Sequence, residues 1–408
     1  MITPISRKPS PKEDLPNNRR SRGRAGCLFH AIGAGKDQLH LTGIATDPHA
    51  NPASVCQEIY RQLAQSLSEH RMEIVHERVF GSLGFQPTFL DVRRRVLGDT
   101  GQPITYVQGR PCWGEGFAGI QVQAVRPAQP VGGVWTIQDH GIPCGRAWKR
   151  NEATFLLLQN LHGIGRSAGA QEDRARQAGR MLKRANELLV AQGATYHDVA
   201  RTWIYLDGIL DWYDEFNRVR NLKYAQFGLL SAPASREGGC PLPPPASTGI
   251  EGANPLGAHC VMDLLAVTGP PGVRPAITRM SNTKQKDAFC YGAAFSRGVC
   301  IQESDVTQIQ ISGTAAIDEE GKSLFPGDIT AQINRTLDNI EALMAQVDGG
   351  LNDISGATVF LKRIEDVPRY RQVAARRGLT HLPAVVVLAD VCRAELLFEL
   401  DAMAVIPH

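Results

Sequence analysis

The sequence predicts an α+β fold of two repeated units, each a mixed β-sheet with helices packed on one face. Helical and strand patterns follow one another in the same order in both units. Matching residues are separated by a constant 155 positions, as in Tyr205 and Phe360 (360 − 205 = 155). Connectors rich in Gly and Pro, over 231–254 and 269–284, mark the boundary between the units.

In both units the predicted order is helix, strand, second helix and terminal strand. The elements of the first unit cover 175–191, Val199–Leu206, 211–227 and 260–267. Those of the second cover 331–347, Ile354–Leu361, 367–377 and 397–405. Aligning the two terminal strands sets Val261 opposite Glu399, so only the second copy keeps an acid at this position.

A weaker third copy lies upstream, where a helix over 53–69 leads into a strand over 72–80. The predicted organisation is a disordered basic tail over 1–26, an N-terminal domain with a degenerate repeat over 27–270, and a C-terminal domain over 285–408 that carries the acid. The tail is assigned as disordered because it is rich in Arg and Lys and lacks apolar periodicity.

Composition limits the class of function. The chain is 43% hydrophobic with a net charge of +3, and no apolar run is long enough to span a bilayer, so a globular protein of the cytoplasm without membrane contact is expected. Nine cysteines without a CxxC pair argue against a disulfide framework and a zinc site. Beyond the tail acids outnumber bases, so the folded body is not expected to bind nucleic acid. Nucleotide and zinc motifs are absent, which predicts no metal and no cofactor.

The terminal strand carries the candidate catalytic group. With a side-chain period of two, Glu399 and Asp401 share a face with Leu397 and Met403. A carboxyl among apolar neighbours loses hydration, its pKa rises, and it can act as a general acid near neutral pH. The alternative is a half-exposed strand whose two carboxylates face water.

Several phrases resemble a known family. Residues 311–318, the helix that follows them and the strand 398–404 resemble the reactive-intermediate (imine) deaminase fold. From about residue 73 onward the chain is more specifically similar to the chorismatases, which are built on that fold. The phrases that carry this resemblance are Arg201-Thr-Trp-Ile-Tyr-Leu206, Trp212-Tyr-Asp-Glu-Phe-Asn-Arg-Val-Arg220, Pro245-Ala-Ser-Thr-Gly-Ile-Glu-Gly252, Tyr291-Gly-Ala-Ala-Phe-Ser-Arg-Gly298 and Asp390-Val-Cys-Arg393.

The resemblance implies a cofactor-free enzyme that cleaves chorismate and releases pyruvate. Glu399 matches the family's catalytic glutamate. A neutral acid at this position protonates the enolpyruvyl methylene, and the carboxylate left behind stabilises the resulting cation. The two carboxylates of chorismate call for arginine clamps.

Arg201 is the first candidate for such a clamp, because it leads a strand face that also carries Trp203 and Tyr205. Arg371 and Arg297 are further candidates, and Tyr205 is a candidate hydrogen-bond donor. The alternative for each arginine is an ordinary ion pair, and for Tyr205 a position in the core.

The resemblance also bears on the product. In the hydroxybenzoate-forming branch a cysteine lies seven residues before the glutamate and a glycine replaces an alanine. Cys392 has that spacing (399 − 392 = 7), and Gly298 is taken as the glycine. The predicted products are pyruvate and 3-hydroxybenzoate, alone or with 4-hydroxybenzoate. The alternative is hydrolysis to 3,4-dihydroxycyclohexa-1,5-dienoate.

Two other classes of function make different demands on the sequence. An imine deaminase would need an arginine on the strand after Pro383, and 384–388 has none. A non-enzymatic binding protein on the deaminase fold stays open as an alternative of another class. Because proteins of this fold close as trimers, an internally repeated chain can satisfy those interfaces itself, so a monomer or weak homo-oligomer is expected.

Overall fold

The computed structural model describes residues 15–16, 19–23, 26–112, 116–129, 133–165, 173–230, 244–270, 272 and 274–408. Over these ranges the chain forms three mixed sheets and six α-helices. Each sheet with its helices is called a unit below. The first two units both fall within 27–270, the range predicted as one N-terminal domain, apart from the edge strand at 19–23.

The first unit of the structure is the upstream copy, so the two repeated units predicted from the sequence are the second and third units here. Its elements are β1 (Arg19–Gly23), β2 (Cys27–Gly33), β3 (Gln38–Ala45), α1 (Pro52–His70), β4 (Glu73–Gly81), α2 (Gln86–Leu97), β5 (Thr105–Gln108) and, after the short strand β6 (Arg110–Pro111), β7 (Phe117–Val125). Strand β6 pairs with the sheet of the third unit instead of its own.

The second and third units repeat this plan. The second unit comprises β8 (Val134–Asp139), β9 (Ile142–Arg150), β10 (Ala153–His162), α3 (Arg174–Ala191), β11 (Val199–Leu206), α4 (Ile209–Gln226), β12 (Ala246–Glu251) and β13 (Cys260–Thr268). The third comprises β14 (Ala276–Met280), β15 (Gly298–Gln302), β16 (Val306–Thr314), α5 (Ile329–Met344), β17 (Ile354–Leu361), α6 (Val367–Arg376), β18 (Ala384–Leu388) and β19 (Phe398–Pro407).

All three sheets have the same strand order. It is β1-β2-β3-β7-β4-β5 in the first unit, β8-β9-β10-β13-β11-β12 in the second and β14-β15-β16-β19-β17-β18 in the third. The register confirms the predicted alignment, because Glu399 pairs with Phe360 and Val261 pairs with Tyr205. The position is held by Gly119, opposite Phe80, in the first unit.

The helices form where local sequence supports them. Asn51 caps α1, accepting a hydrogen bond from the Ser54 amide at 3.1 Å, and Pro52 follows at the first helical position, where a missing N–H costs nothing. In the same way Asp328 caps α5 by accepting a hydrogen bond from the Ala331 amide at 2.9 Å. The buried side of α1 carries Val55, Ile59 and Leu63, which recur at the four-residue spacing of one helix face.

The three units close into a ring through equivalent contacts. In each unit a polar residue of the terminal strand reaches the next unit. The contacts join Asp401 to the Thr248 hydroxyl at 3.0 Å, Asp263 to the Thr105 hydroxyl at 2.5 Å, and the Gln121 side-chain amide to the Ala357 carbonyl at 2.5 Å. Asp401, Asp263 and Gln121 occupy matching register positions, opposite Thr358, Trp203 and Arg78.

Three predictions need correction or refinement. The predicted disordered tail over 1–26 includes β1, which pairs with β2 through backbone hydrogen bonds that need no apolar periodicity; residues 1–14, 17–18 and 24–25 lie outside the described ranges. The connectors 231–254 and 269–284 contain β12 and β14. The weak upstream copy is a complete unit. Within the described ranges no helix has the length and apolar character to cross a membrane.

Candidate active site

A cavity of about 360 Å³ opens between the second and third units. It is called the Glu399 cavity below. Its volume lies within the roughly 300–1,000 Å³ typical of small-molecule sites. The second unit contributes α4 and β12, and the third contributes the segment ahead of β15, the end of β16, the loop before β19 and β19 itself.

Local backbone geometry brings α4 to this cavity. Gly208 adopts a left-handed φ of 63° and turns the chain from β11 into the helix. The helix then presents Tyr213, Asn217 and Arg218 to the cavity. Strand β12 adds Ser247 and Gly249 beside them.

Glu399 lies in the cavity wall with only 4% of its surface exposed. No hydrogen bond joins its carboxyl to another residue within the described ranges. Burial, with the nearby Asp401 anion as the second cause, raises the pKa of the Glu399 carboxyl to about 8, while Arg201 and Arg297 act in the opposite direction. At neutral pH the side chain is therefore mostly a neutral acid that can donate a proton.

Gly313 makes room for this acid. A Cβ atom at position 313 would lie 2.1 Å from the Oε1 atom of Glu399 and 3.2 Å from Cγ2 of Thr248. The Gly313 amide donates a hydrogen bond to the Thr248 hydroxyl at 3.1 Å. The absence of a side chain at this position therefore lets the carboxyl lie against the backbone of β16.

A buried ion pair lies beside the acid. Arg201 is fully buried and donates to the Asp401 carboxylate at 3.1 Å and to the Thr248 hydroxyl at 2.5 Å. Asp401 also accepts from the Thr248 hydroxyl at 3.0 Å and from the Thr358 amide at 3.2 Å. Burial lowers the pKa of Arg201 to about 10, so it remains a cation at neutral pH.

The cavity wall carries three arginines, Arg218, Arg297 and Arg393. Arg297 is held in place by its bond to the Tyr291 hydroxyl at 2.6 Å and by the carbonyl of Lys286 at 2.9 Å. The Arg393 guanidinium lies 5.3 Å from the centroid of the Tyr291 ring. Such a wall attracts a small molecule with more than one carboxylate.

Cys392 and Tyr213 face the acid from the two units. Burial, followed by the charge of Glu399, raises the pKa of the Cys392 thiol to about 12. Burial also raises the pKa of the Tyr213 hydroxyl. Both groups therefore stay protonated at neutral pH, so Cys392 shapes the cavity as a neutral thiol and Tyr213 can donate a hydrogen bond.

The structure brings together only some of the predicted site residues. Glu399, Cys392 and Arg297 line the cavity. Arg201 lies behind the wall in its ion pair with Asp401, and Tyr205 is buried with its hydroxyl 3.2 Å from Arg78.

Two other predicted residues also lie away from the cavity lining. Arg371 is on α6, the helix equivalent to α4, which faces the first unit near Cys112. A Cβ atom on Gly298 would point into the core, 2.9 Å from Leu343.

The predicted site residues did not include Gly313, Arg218, Tyr291 or Arg393. All four lie in phrases that carried a resemblance: Gly313 in 311–318, which resembles the deaminase fold, and the other three in phrases similar to the chorismatases. A signal was thus present for each, but it did not indicate which side chains of a phrase point toward one another across two units.

The equivalent positions at the other two interfaces are filled. A Cβ atom on Gly119 would lie 2.4 Å from the Gly43 carbonyl and 3.1 Å from Val385. Val261 is fully buried in the apolar core with Val107 and Tyr205. Over the ranges that the structure describes, no group of three or more His, Cys, Asp or Glu lies close enough to hold a metal ion.

Comparison with known proteins gives the family. The Endoribonuclease L-PSP family model matches residues 286–406, which form most of the third unit. A protein of Streptomyces hygroscopicus described as a chorismatase is 31% identical over an alignment of 296 residues that covers 66% of this chain and 78% of that protein. A second protein of the same organism, described as 3-hydroxybenzoate synthase, is 24% identical over 78% of this chain and 97% of its own length.

Among solved structures, a crystal structure of a chorismatase superposes with a TM-score of 0.58 and 21% identity, covering 81% of this chain and 92% of that one. That match shows the same fold. The identity and coverage of the chorismatase from Streptomyces hygroscopicus establish that this chain belongs to the chorismatase family of enzymes.

Proposed function

We propose that this enzyme converts chorismate to 3-hydroxybenzoate and pyruvate without a metal or cofactor. The observation that supports the proposal most strongly is a buried carboxyl with a pKa of about 8, Glu399, in a cavity whose wall carries three arginines. Chorismate carries two carboxylates and an enol ether, which match the arginines and the acid respectively.

In the proposed reaction Glu399 transfers its proton to the methylene carbon of the enolpyruvyl group. The C=C π electrons form the new C–H bond, and the ether oxygen shares the positive charge that results. The Glu399 carboxylate, which is almost fully buried, then lies next to this cation and stabilises it with little screening by water. Arg297, Arg218 and Arg393 are the proposed contacts for the substrate carboxylates.

The product depends on what attacks the cation. Attack by the ring hydroxyl of the substrate, cleavage of the ring C–O bond that holds the pyruvate unit, and loss of a ring proton release pyruvate and a hydroxybenzoate, with no net use of water. Attack by water gives pyruvate and the dihydroxydienoate instead. The uncharged thiol of Cys392 next to Glu399 favours the first route in this proposal, because it occupies space where a water molecule would otherwise be bound.

The test is incubation of the purified chain with chorismate, followed by mass spectrometry of the products. We expect 3-hydroxybenzoate and pyruvate in equal amounts. Glu399→Gln keeps the shape of the acid and removes its proton, so turnover should fall at least about 10³-fold. Glu365→Gln, an exposed carboxyl of the same unit outside the cavity, is the matched control and should retain full turnover.

Each alternative outcome has a distinct meaning. A dihydroxydienoate, heavier than hydroxybenzoate by one water molecule, would contradict the product but retain the reaction of Glu399. Cys392→Ala should raise the dienoate fraction if the thiol excludes water. Absence of turnover in the native chain would contradict the proposed function.

We also propose that the chain acts as a monomer, since the three units already contact one another within one chain. Light scattering on the eluted protein should give the mass of a single chain. A stable trimer would contradict this proposal.

A further inference from the structure

The ion pair behind Glu399 has the geometry of an electrostatic support for the acid. Asp401 lies two residues from Glu399 on the same strand face, a separation of about 7 Å along the strand. Its partner Arg201 donates hydrogen bonds to both Asp401 and Thr248. The Thr248 hydroxyl in turn accepts a hydrogen bond from the amide of Gly313, against which the Glu399 carboxyl packs. One hydrogen-bond network therefore joins the pair to the backbone under Glu399.

We propose that Arg201 and Asp401 are positioning residues for this reaction: the Asp401 anion holds the Glu399 carboxyl in its protonated form, and the Arg201 cation keeps Asp401 ionised and limits its effect on Glu399. This inference rests on the proposed function for its kinetic readout only. It assigns Arg201 a role other than that of a substrate clamp, in keeping with its position behind the cavity wall.

Charged and titratable groups reach Glu399 from every element around it. Asp401 lies on its own strand and Arg201 on β11. The other groups line the cavity: Tyr213, Asp214 and Arg218 on α4, Tyr291 and Arg297 ahead of β15, and Cys392 and Arg393 in the loop before β19. Tyr213 and Cys392 are neutral near pH 7. The balance on Glu399 is therefore set by burial, by the Asp401 anion and by the nearby arginines.

The same contact recurs where no acid is present. Asp263 accepts from the Thr105 hydroxyl at 2.5 Å and lies 2.8 Å from Nε2 of His76, while the neighbouring position is Val261. A Thr–Asp contact therefore also holds two units together where no acid is nearby. Asp263→Asn is therefore a matched control for the structural share of Asp401.

The variants shift the balance in opposite directions. In Asp401→Asn the anion is lost and the arginines remain, so Glu399 should lose its proton at a pH lower by about one to two units. In Arg201→Gln the anion loses its partner, so the proton should be held to a higher pH. The double variant removes both charges, so its titration should lie between those of the two single variants.

Two readouts separate this inference from the proposed function. The first is the pH dependence of pyruvate release, which should have an alkaline limb that follows Glu399. The second needs no turnover: it is the carboxyl ¹³C titration of protein labelled at glutamate, with the Glu399 signal identified by its absence in Glu399→Gln. If the native chain is inactive on chorismate, the second readout still tests the pair.

We expect Asp401→Asn to move both the limb and the titration to lower pH, and Asp263→Asn to leave both in place while reducing the melting temperature. If Asp401→Asn does not fold, Arg201→Gln and the double variant carry the test, because the double variant should lose the Glu399 proton at a lower pH than Arg201→Gln does. Titration of Glu399 at the native pH in both single variants, with activity lowered equally at every pH, would overturn the inference.

Discussion

Replacing Gly313 by alanine should displace the acid without unfolding the chain. The new Cβ atom would lie 2.1 Å from Oε1 of Glu399, whereas ordinary contact begins near 3.4 Å, so the carboxyl must move by at least 1.3 Å (3.4 − 2.1 = 1.3). Misplacement of a reacting group by about 1 Å can cost about 10²-fold in rate. We therefore expect kcat on chorismate to fall by about that factor.

Stability should hardly change in this variant. The atom that must move is the end of a flexible side chain, and Gly313 does not have a left-handed φ, so alanine fits its backbone. We expect the free energy of unfolding to change by less than about 1 kcal/mol. Gly350→Ala is the matched control, because a Cβ atom there meets nothing within 4 Å.

The assay is pyruvate release coupled to lactate dehydrogenase, with thermal unfolding followed by circular dichroism on the same samples. Gly350→Ala should match the native chain in both measurements. Native turnover in a folded Gly313→Ala would refute the reasoning, because the acid could then not lie against β16 as described. Loss of turnover accompanied by a large drop in melting temperature would also contradict it.

Three more predictions follow from the cavity. Because the pKa of Glu399 is raised in the folded chain, the free energy of unfolding should fall by several kcal/mol as pH rises from about 4.5 toward about 8. Glu399→Gln should flatten this dependence in denaturant titrations at pH 5 and pH 8. Iodoacetamide at pH 8 should label the exposed Cys290 and leave Cys392 unmodified, as read by peptide mass spectrometry, since the pKa of Cys392 is about 12. Thr248→Val removes a hydroxyl with three hydrogen-bond partners and should lower the free energy of unfolding by about 2–3 kcal/mol, whereas an unchanged value in urea would show that water replaces it.

Much of the second and third units could be predicted from the sequence. Strands Val199–Leu206 and Ile354–Leu361 have the predicted bounds, because the repeat fixes both ends of each apolar run. The same repeat gave the alignment in which Glu399 and Val261 occupy equivalent positions in their two units. Strand β12 was missed because its sequence, Ala-Ser-Thr-Gly-Ile-Glu, lies in a region rich in Gly and Pro and has little apolar character.

The residues around the acid were harder to predict for a physical reason. A period of two shows that Arg201 shares a face with Trp203 and Tyr205, but it does not show whether that face borders a cavity or another unit. That depends on how the ring closes, which local patterns do not encode. The same difficulty applies to Tyr213 and Arg218. They lie on α4, and the sheet that this helix faces across the cavity begins about 50 residues later in the chain.

Closing a ring of three units within one polypeptide lets stability and catalysis be served at different interfaces. In a ring of identical chains, a cavity and a buried carboxyl would have to be tolerated three times over. Here Gly119 and Val261 stand where Glu399 stands in the third unit, and both are packed tightly. Two of the three interfaces can thus be packed as hydrophobic core, while the cavity and the buried carboxyl, which cost stability, are confined to the third.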